Sequence, residues 1–385
     1  MTRKRVYLDW NATAPMRLEA KAAMSASFDL IGNPSSVHSE GRAARKIVET
    51  ARASIAAATS SEARNVIFTS GGTEANVMAL MPGLHTKAGE DIPRLIVSAI
   101  EHPSVLAGGQ FDQSEVQLAP VTPEGVIDLE RLTAMLSGQP PILVSLMLAN
   151  NETGAIQPIV QVAEIVHSHG GLLHVDAVQA FGKIPININV LCADLLTLSG
   201  HKIGGPKGVG ALVLGNGIEG FEAIFRGGGQ EKGRRAGTEN VPGIAGFGAA
   251  VDAAMKTLEP ASVKMARLQE KLENGLKSTS GATIFASSVA RLPNTTLFSA
   301  PGMKAETAVI AFDLEGIAVS SGSACSSGKV QPSHVLAAMG VPPALTAGAV
   351  RLSLGWETSE AEVDDVLEAW RTLSSVLLRE SRTVA

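Results

Sequence analysis

The chain has 385 residues, 45% of them hydrophobic and 18% charged, which supports a large buried core and excludes a disordered chain. A net charge of −5, from 32 basic and 37 acidic residues, excludes the strongly basic footprint of a nucleic-acid binder. Two cysteines, Cys192 and Cys325, exclude a disulfide framework, and no Cys/His spacing suggests zinc.

The N-terminal string MTRKRVYLDW has basic residues but no apolar stretch of the signal-peptide kind. No run of about 18 apolar residues follows, so no transmembrane helix is expected. The expected compartment is a reducing cytoplasm. Residues 42–58 place Ala44, Ile47, Val48, Ala51 and Ile55 on one helical face. Short apolar runs then recur at 66–69, 95–100, 142–148, 172–175, 195–198 and 209–214, with amphipathic stretches such as 159–167 between them. Unbroken apolar runs suit strands buried on both faces, and their alternation with helices predicts an α/β fold with a mostly parallel sheet.

Chemistry-bearing residues follow these runs in order. After 66–69 comes TSGGTEAN (69–76), where two glycines turn the chain into a helix starting near Thr73. Such a turn is either a phosphate cradle, built from helix N–H groups and the Thr73 hydroxyl, or an ordinary capped strand–helix turn. His102 follows the next run in EHPSV, either as a proton shuttle or ring-stacking imidazole, or as a structural histidine. Asn150 and Asn151 follow the run at 142–148. Asp176 follows 172–175, placed to pair with a pyridinium nitrogen or merely to cap a helix. Ser199, His201 and Lys202 follow 195–198 in SGHKIGGPKG. A lysine at the carboxyl end of a buried strand sits where α/β sheets bind ligands, and desolvation suits it to Schiff-base chemistry. Lys207 is the rival lysine, farther from the strand end, and Lys202 is favoured over it. Each of these residues has a structural explanation singly; together, on one edge of one sheet, they read as a site.

The character changes near residue 250. Met265, Leu268, Leu272 and Leu276 form a helical stripe, and a strand-like segment at 294–299 precedes the apolar stretch AVIAFDL at 308–314. Ser359 and Glu362 form a capping-box pattern opening a last helix that carries Val363, Val366, Leu367, Trp370 and Leu373. Cys325 lies in SGSACSSG, a small and polar context that keeps a thiol accessible, whereas Cys192 in VLCADLL reads as a buried structural cysteine.

The chain closely resembles the cysteine desulfurases, within the fold-type I pyridoxal phosphate enzymes. The resemblance is carried by YLDWNATAP (7–15), GNPSSVH (32–38), TSGGTEAN, EHPSV, NNETG, HVDAVQ, SGHKIGGPKG, GGGQEKGRRAGTEN (227–240), SSGSACSSG (320–328) and RLSLG (351–355), in the family's order over nearly the whole chain. It implies a large domain over 14–250 with a mostly parallel seven-stranded sheet. A smaller α+β domain would comprise 1–13 and 251–385 and carry a mobile cysteine loop at about 320–333.

The resemblance also implies roles. Lys202 would hold pyridoxal phosphate covalently, Asp176 would pair with its ring nitrogen, and Gln179 would bond its ring oxygen. His102 would stack on the ring, with Asn151 nearby. Gly72, Thr73, Ser199 and His201 would bind the phosphate. Thr238 would reach the phosphate of a partner subunit, making the protein a homodimer. Arg351, with Asn33 and Asn151, would bind the substrate carboxylate. Lys202, His102 and Cys325 would be catalytic. L-cysteine would give L-alanine and a Cys325 persulfide, passed to an iron–sulfur scaffold or another acceptor protein. No resident metal is implied, although Cys325 could transiently contact an iron–sulfur cluster. Trp10 and Ala14 depart from the polar residue and threonine usual in the first string, and Gln230 with the TEN ending resembles the nitrogen-fixation branch more than the housekeeping one.

Overall fold

The computed structural model describes residues 5–85, 89, 92–215, 218, 221–322 and 332–377, apart from the side chains of 279, 280 and 376. Cys325 therefore lies outside the described residues.

Among the described residues twelve strands run in chain order: β1 Val6–Tyr7, β2 Val66–Thr69, β3 Arg94–Ser98, β4 Val116–Ala119, β5 Ile142–Met147, β6 Leu172–Asp176, β7 Leu195–Ser199, β8 Gly210–Leu214, β9 Thr283–Ile284, β10 Thr295–Ser299, β11 Ile317–Ala318 and β12 Val350–Ser353. Seven of them form the main sheet, ordered β2-β8-β7-β6-β5-β3-β4. All are parallel except β8, which is antiparallel to both neighbours. Strands β2, β5, β6, β7 and β8 are buried along their whole length. Their runs of Val, Ile and Leu have helices on both faces, which is why they lack the polar alternation of a half-exposed sheet.

One apolar core packs under α2 (Ser39–Thr59), the helix Val241–Lys256 and the helix Ile159–Ser168. α1 (Leu18–Phe28) lies against Val241–Lys256, where a side chain at Gly246 would run into Met24. A second core on the opposite face includes Met78, Leu80, Leu95 and Val97.

A separate core lies around the three-stranded sheet β12-β10-β9 and the helices Leu258–Ser280 and Glu360–Leu377. It takes in Val6 and Leu8 from the N-terminus, because β1 pairs in parallel with β11. Trp370 anchors it, edge-on to Phe298 and stacked at 6.2 Å on Phe312. The apolar stretch 308–314 belongs to the helix Ala305–Leu314. Ser359 and Glu362 form the expected reciprocal cap, Ser359 N–H donating to Glu362 and Glu362 N–H to Ser359 Oγ.

The segment 227–240 is tied to the sheet by a buried pair. Arg52 donates to both carboxylate oxygens of Glu231, at 2.6 and 2.9 Å, and Glu231 also accepts from the N–H of Phe68.

Cys192 corrects a sequence expectation. It is exposed, in a surface turn with φ of +52°, rather than buried. The apolar neighbours Leu191 and Ala193 turn inward, and the reversal before β7 throws the thiol outward.

Candidate active site

Parallel pairing brings the carboxyl ends of β3, β5, β6 and β7 to one edge, with Met147 opposite Asp176 and Asp176 opposite Thr197. β2 ends at the same edge, since it runs antiparallel to β8 as β7 does. A cavity of about 200 Å³ opens there. Gly72, Thr73, His102, Asn151, Asp176, Gln179, Ser199, His201 and Lys202 all line it. Ten of the thirteen residues singled out from the sequence are Arg351 and these nine; Arg351 reaches the same region through Asn151.

Thr69 ends β2, and α3 (Gly72–Ala79) begins three residues on, with Gly72 and Thr73 of its first turn lining the cavity. Gly72 is needed there: a Cβ would lie 2.9 Å from Val178 Cγ2. One turn into α3, Asn76 is buried and joins two site residues. Its Nδ2 donates to Asp176 Oδ2 and to Ser104 Oγ, each at 2.9 Å. Asp176 Oδ1 accepts from the N–H of Val178, so the carboxylate is held at both oxygens.

His102 caps α4 (Pro103–Leu106), accepting the N–H of Ser104 at Nδ1, with Ser104 Oγ at 2.7 Å from the same nitrogen. An Nδ1 that accepts leaves the proton of the neutral ring on Nε2. Burial lowers the His102 pKa; Asp176 opposes this, while Lys202 and His334 reinforce it. The ring is therefore neutral at pH 7.

Lys202 ends a short 3-10 turn after β7. Its Nζ donates to the main-chain carbonyls of Asn11 and Ala12, which the N-terminal segment lays across the site. Burial lowers its pKa from 10.5 to about 8, assisted by the positive charge of Arg351 and opposed by Asp9 and Asp176. About a tenth of the amine is thus free base at pH 7. Lys207 is exposed and does not line the cavity. His201 is held at about 4, chiefly by burial and then by Lys202 and Lys207.

Arg351, on β12, is buried and crosses from the smaller core to the main sheet. It donates to the carbonyl of Asn151 at 3.0 Å and to Asp9 at 2.7 Å. Its Nε is buried and has no hydrogen-bond partner among the described residues.

Asn33 and Thr238 are not brought to this cavity by the single chain. Asn33 is exposed and accepts from the N–H of Ser35 in a local turn. Thr238 is exposed on the 227–240 segment and lines a neighbouring cavity with Thr69, Ser70 and Arg235.

Sequence reasoning passed over Asn11, Asn76, Ser104 and Lys183. Asn76 carried a signal, since it lies three residues after Thr73 on the same helical face. Asn11 carried none, because its partners lie up to 342 residues away in sequence, and Lys183 meets Asn11 across 172 residues.

Comparison with known proteins agrees with this geometry. The model of the family "Aminotransferase class-V" matches residues 6–366. A cysteine desulfurase of Trichormus azollae is 42% identical, over 94% of this chain and 91% of that one. The cysteine desulfurase IscS of Dictyoglomus turgidum is 40% identical, over 95% and 94%. The solved structure of a NifS-like protein from Rickettsia africae superposes with a TM-score of 0.86 at 36% identity, covering 96% of this chain and 99% of that one. SspA, solved in complex with cysteine, matches with a TM-score of 0.76 at 30% identity, covering 92% and 100%. The chain belongs to the class-V aminotransferase family and, within it, to the cysteine desulfurases.

Proposed function

We propose that the protein binds pyridoxal phosphate in the Asp176–Lys202 cavity and uses it to take sulfur from L-cysteine, leaving L-alanine and a persulfide on Cys325. The observation that carries this reading is the convergence of a carboxylate, a low-pKa lysine and a neutral histidine on one cavity beside a helix N-terminus. The name of the Trichormus azollae relative and the cysteine bound to SspA support the substrate.

The donor set fits the cofactor. Asp176, held at both oxygens, suits a pyridinium nitrogen. The α3 N-terminus with Thr73, Ser199 and His201 suits a phosphate, and the tight approach at Gly72 leaves space only for backbone there. Gln179 and His102 line the cavity, where the one would offer an amide to the ring oxygen and the other would stack on the ring. The bound cofactor supplies an electron sink for bond changes at the substrate α-carbon.

The chain's own groups do the rest. Lys202, free base in part near neutral pH, takes and returns the α-proton at Nζ. The carbonyls of Asn11 and Ala12 receive that amine whenever it is not bonded to cofactor. Arg351 binds the substrate carboxylate, with the Asn151 carbonyl fixing the guanidinium. His102 moves protons at Nε2 for the thiols. The Cys325 thiol then takes the substrate sulfur, so that cysteine and thiol give alanine and persulfide with no outside oxidant or reductant. Passage of that sulfur to an iron–sulfur scaffold or another acceptor protein completes the proposal.

We also propose a cytoplasmic homodimer. Leu18, Phe28, Ile31 and Val37 are large apolar side chains left exposed by the single chain, between 67% and 91%. A second copy seated there accounts for them and brings Thr238 toward the partner's phosphate site. Among the described residues no helix is long and apolar enough to cross a membrane.

The test is spectroscopic and chemical together. Wild type mixed with pyridoxal phosphate should turn yellow and form alanine from L-cysteine, whereas Lys202→Ala should lose the covalent chromophore and the alanine. A Lys202→Ala protein as active as wild type would refute the assignment.

A further inference from the structure

Lys183 lies one residue past Gly182, is 6% exposed, and has no carboxylate partner among the described residues. Its Nζ has two hydrogen-bond acceptors, Asn11 Oδ1 and Gln179 Oε1, each at 2.9 Å. A neutral amine has two N–H bonds, and this pair of acceptors takes both. Burial, followed by repulsion from Lys202 and Arg351, drives its pKa well below the ordinary lysine value, in keeping with a neutral amine.

Two independent contacts fix the Gln179 amide. Its Nε2 donates at 3.0 Å to the main-chain carbonyl of Asn11, a group that can only accept. Its other end faces the Lys183 amine and must be the oxygen. Asn11 is held in the same way: Oδ1 accepts from Lys183 and Asn294, while Nδ2 donates to Thr295 Oγ1 and the Asn151 carbonyl. Asn11 in turn presents the carbonyl that receives Lys202.

We propose that Lys183 is a positioning residue, whose amine locks the Gln179 amide so that an N–H, never the carbonyl, faces the ring oxygen of the cofactor. Gln179 has two N–H bonds; one goes to Asn11 and the other serves the cavity that Gln179 lines. Without Lys183 the buried Gln179 oxygen loses its donor and only the Asn11 carbonyl still orients the amide, so the N–H offered to the ring oxygen is held less firmly. The charged and titratable groups around the cofactor site (Asp9, Asp176, His102, His201, Lys202, Arg351) are the same with or without the Lys183 amine.

The inference rests on the cofactor assignment made above. The test uses the full chain loaded with pyridoxal phosphate and reads the pH midpoint of the bound cofactor's visible absorption. Lys183→Met keeps the length and removes the N–H groups. Loss of the donor leaves the ring oxygen holding charge less well, so the midpoint should rise by about one pH unit and cofactor affinity should fall about tenfold. Gln179→Leu should give the same rise, and the double variant no more than either single one. Should Lys183→Met fail to fold, Lys183→Gln, which can still donate to the Gln179 carbonyl, should keep the wild-type midpoint. An unchanged midpoint in Lys183→Met, additive shifts in the double variant, or a shift in Lys183→Gln equal to that of Gln179→Leu would overturn the inference. A wild type that binds no pyridoxal phosphate would overturn the cofactor assignment itself.

Discussion

Asn76 Nδ2 lies 2.9 Å from Asp176 Oδ2, and its second hydrogen goes to Ser104, the residue that fixes His102. One buried amide therefore ties the Asp176 carboxylate to the Ser104 hydroxyl that holds the His102 imidazole. Asn76→Leu removes both bonds while keeping the volume close. A hydrogen bond to a charged group contributes roughly 1.5–3 kcal/mol. Pyridoxal phosphate affinity should accordingly fall about tenfold or more, read by titrating the cofactor-free protein. An affinity within twofold of wild type would remove Asn76 from the account.

Lys202 gives a pH dependence with a definite sign. Its folded pKa of about 8 lies below the ordinary 10.5. Below about pH 8 the fold must hold a buried ammonium, so the penalty is present in full. As pH rises from about 8 to about 10.4 the unfolded chain still binds the proton and the folded one does not, and the penalty is relieved. The same titration sets reactivity. The rate at which cofactor-free protein captures pyridoxal phosphate should climb with pH and level near pH 8. Stopped-flow absorbance checks this, and a rate still climbing at pH 10 would show an ordinary exposed lysine.

Glu152 and Ser333 form a buried pair. Ser333 donates to the buried Glu152 carboxyl at 2.6 Å and caps the helix His334–Ala338 by accepting from the N–H of Leu336. Glu152 also lies against Gly322, where a Cβ would come within 3.3 Å of its Oε2. Ser333→Ala loses a cap, about 1 kcal/mol, and leaves a buried carboxyl unpaired, about 1–3 kcal/mol more. Denaturant unfolding should show a loss of about 2–4 kcal/mol, with Ser333→Thr close to wild type. A loss below about 0.5 kcal/mol would contradict the pairing.

The sheet and most of the site were legible because buried parallel strands advertise themselves as unbroken apolar runs. A residue just after such a run has one place to go, the carboxyl edge, and this located His102, Asp176 and Lys202 without coordinates. The N-terminal strand was harder: Val6 and Tyr7 pair with Ile317 and Ala318, and no local pattern encodes a partner so distant. Lys183 looked like any lysine after a glycine, and only the tertiary fold shows that it is sealed beneath Asn11. Cys192 misled for the opposite reason. Its apolar neighbours suggested burial, yet a turn at positive φ exposes the thiol while those neighbours face inward. Asn33 and Thr238 were named by resemblance alone, and a single chain leaves both away from the cavity.

The central claim is that sulfur leaves L-cysteine for Cys325. The direct measurement is alanine and sulfide release from L-cysteine with reductant, wild type beside Cys325→Ala, both loaded with pyridoxal phosphate. The account predicts equal alanine and sulfide from a yellow wild type, and an equally yellow variant that releases neither. A Cys325→Ala protein that matches wild type in both products would contradict it.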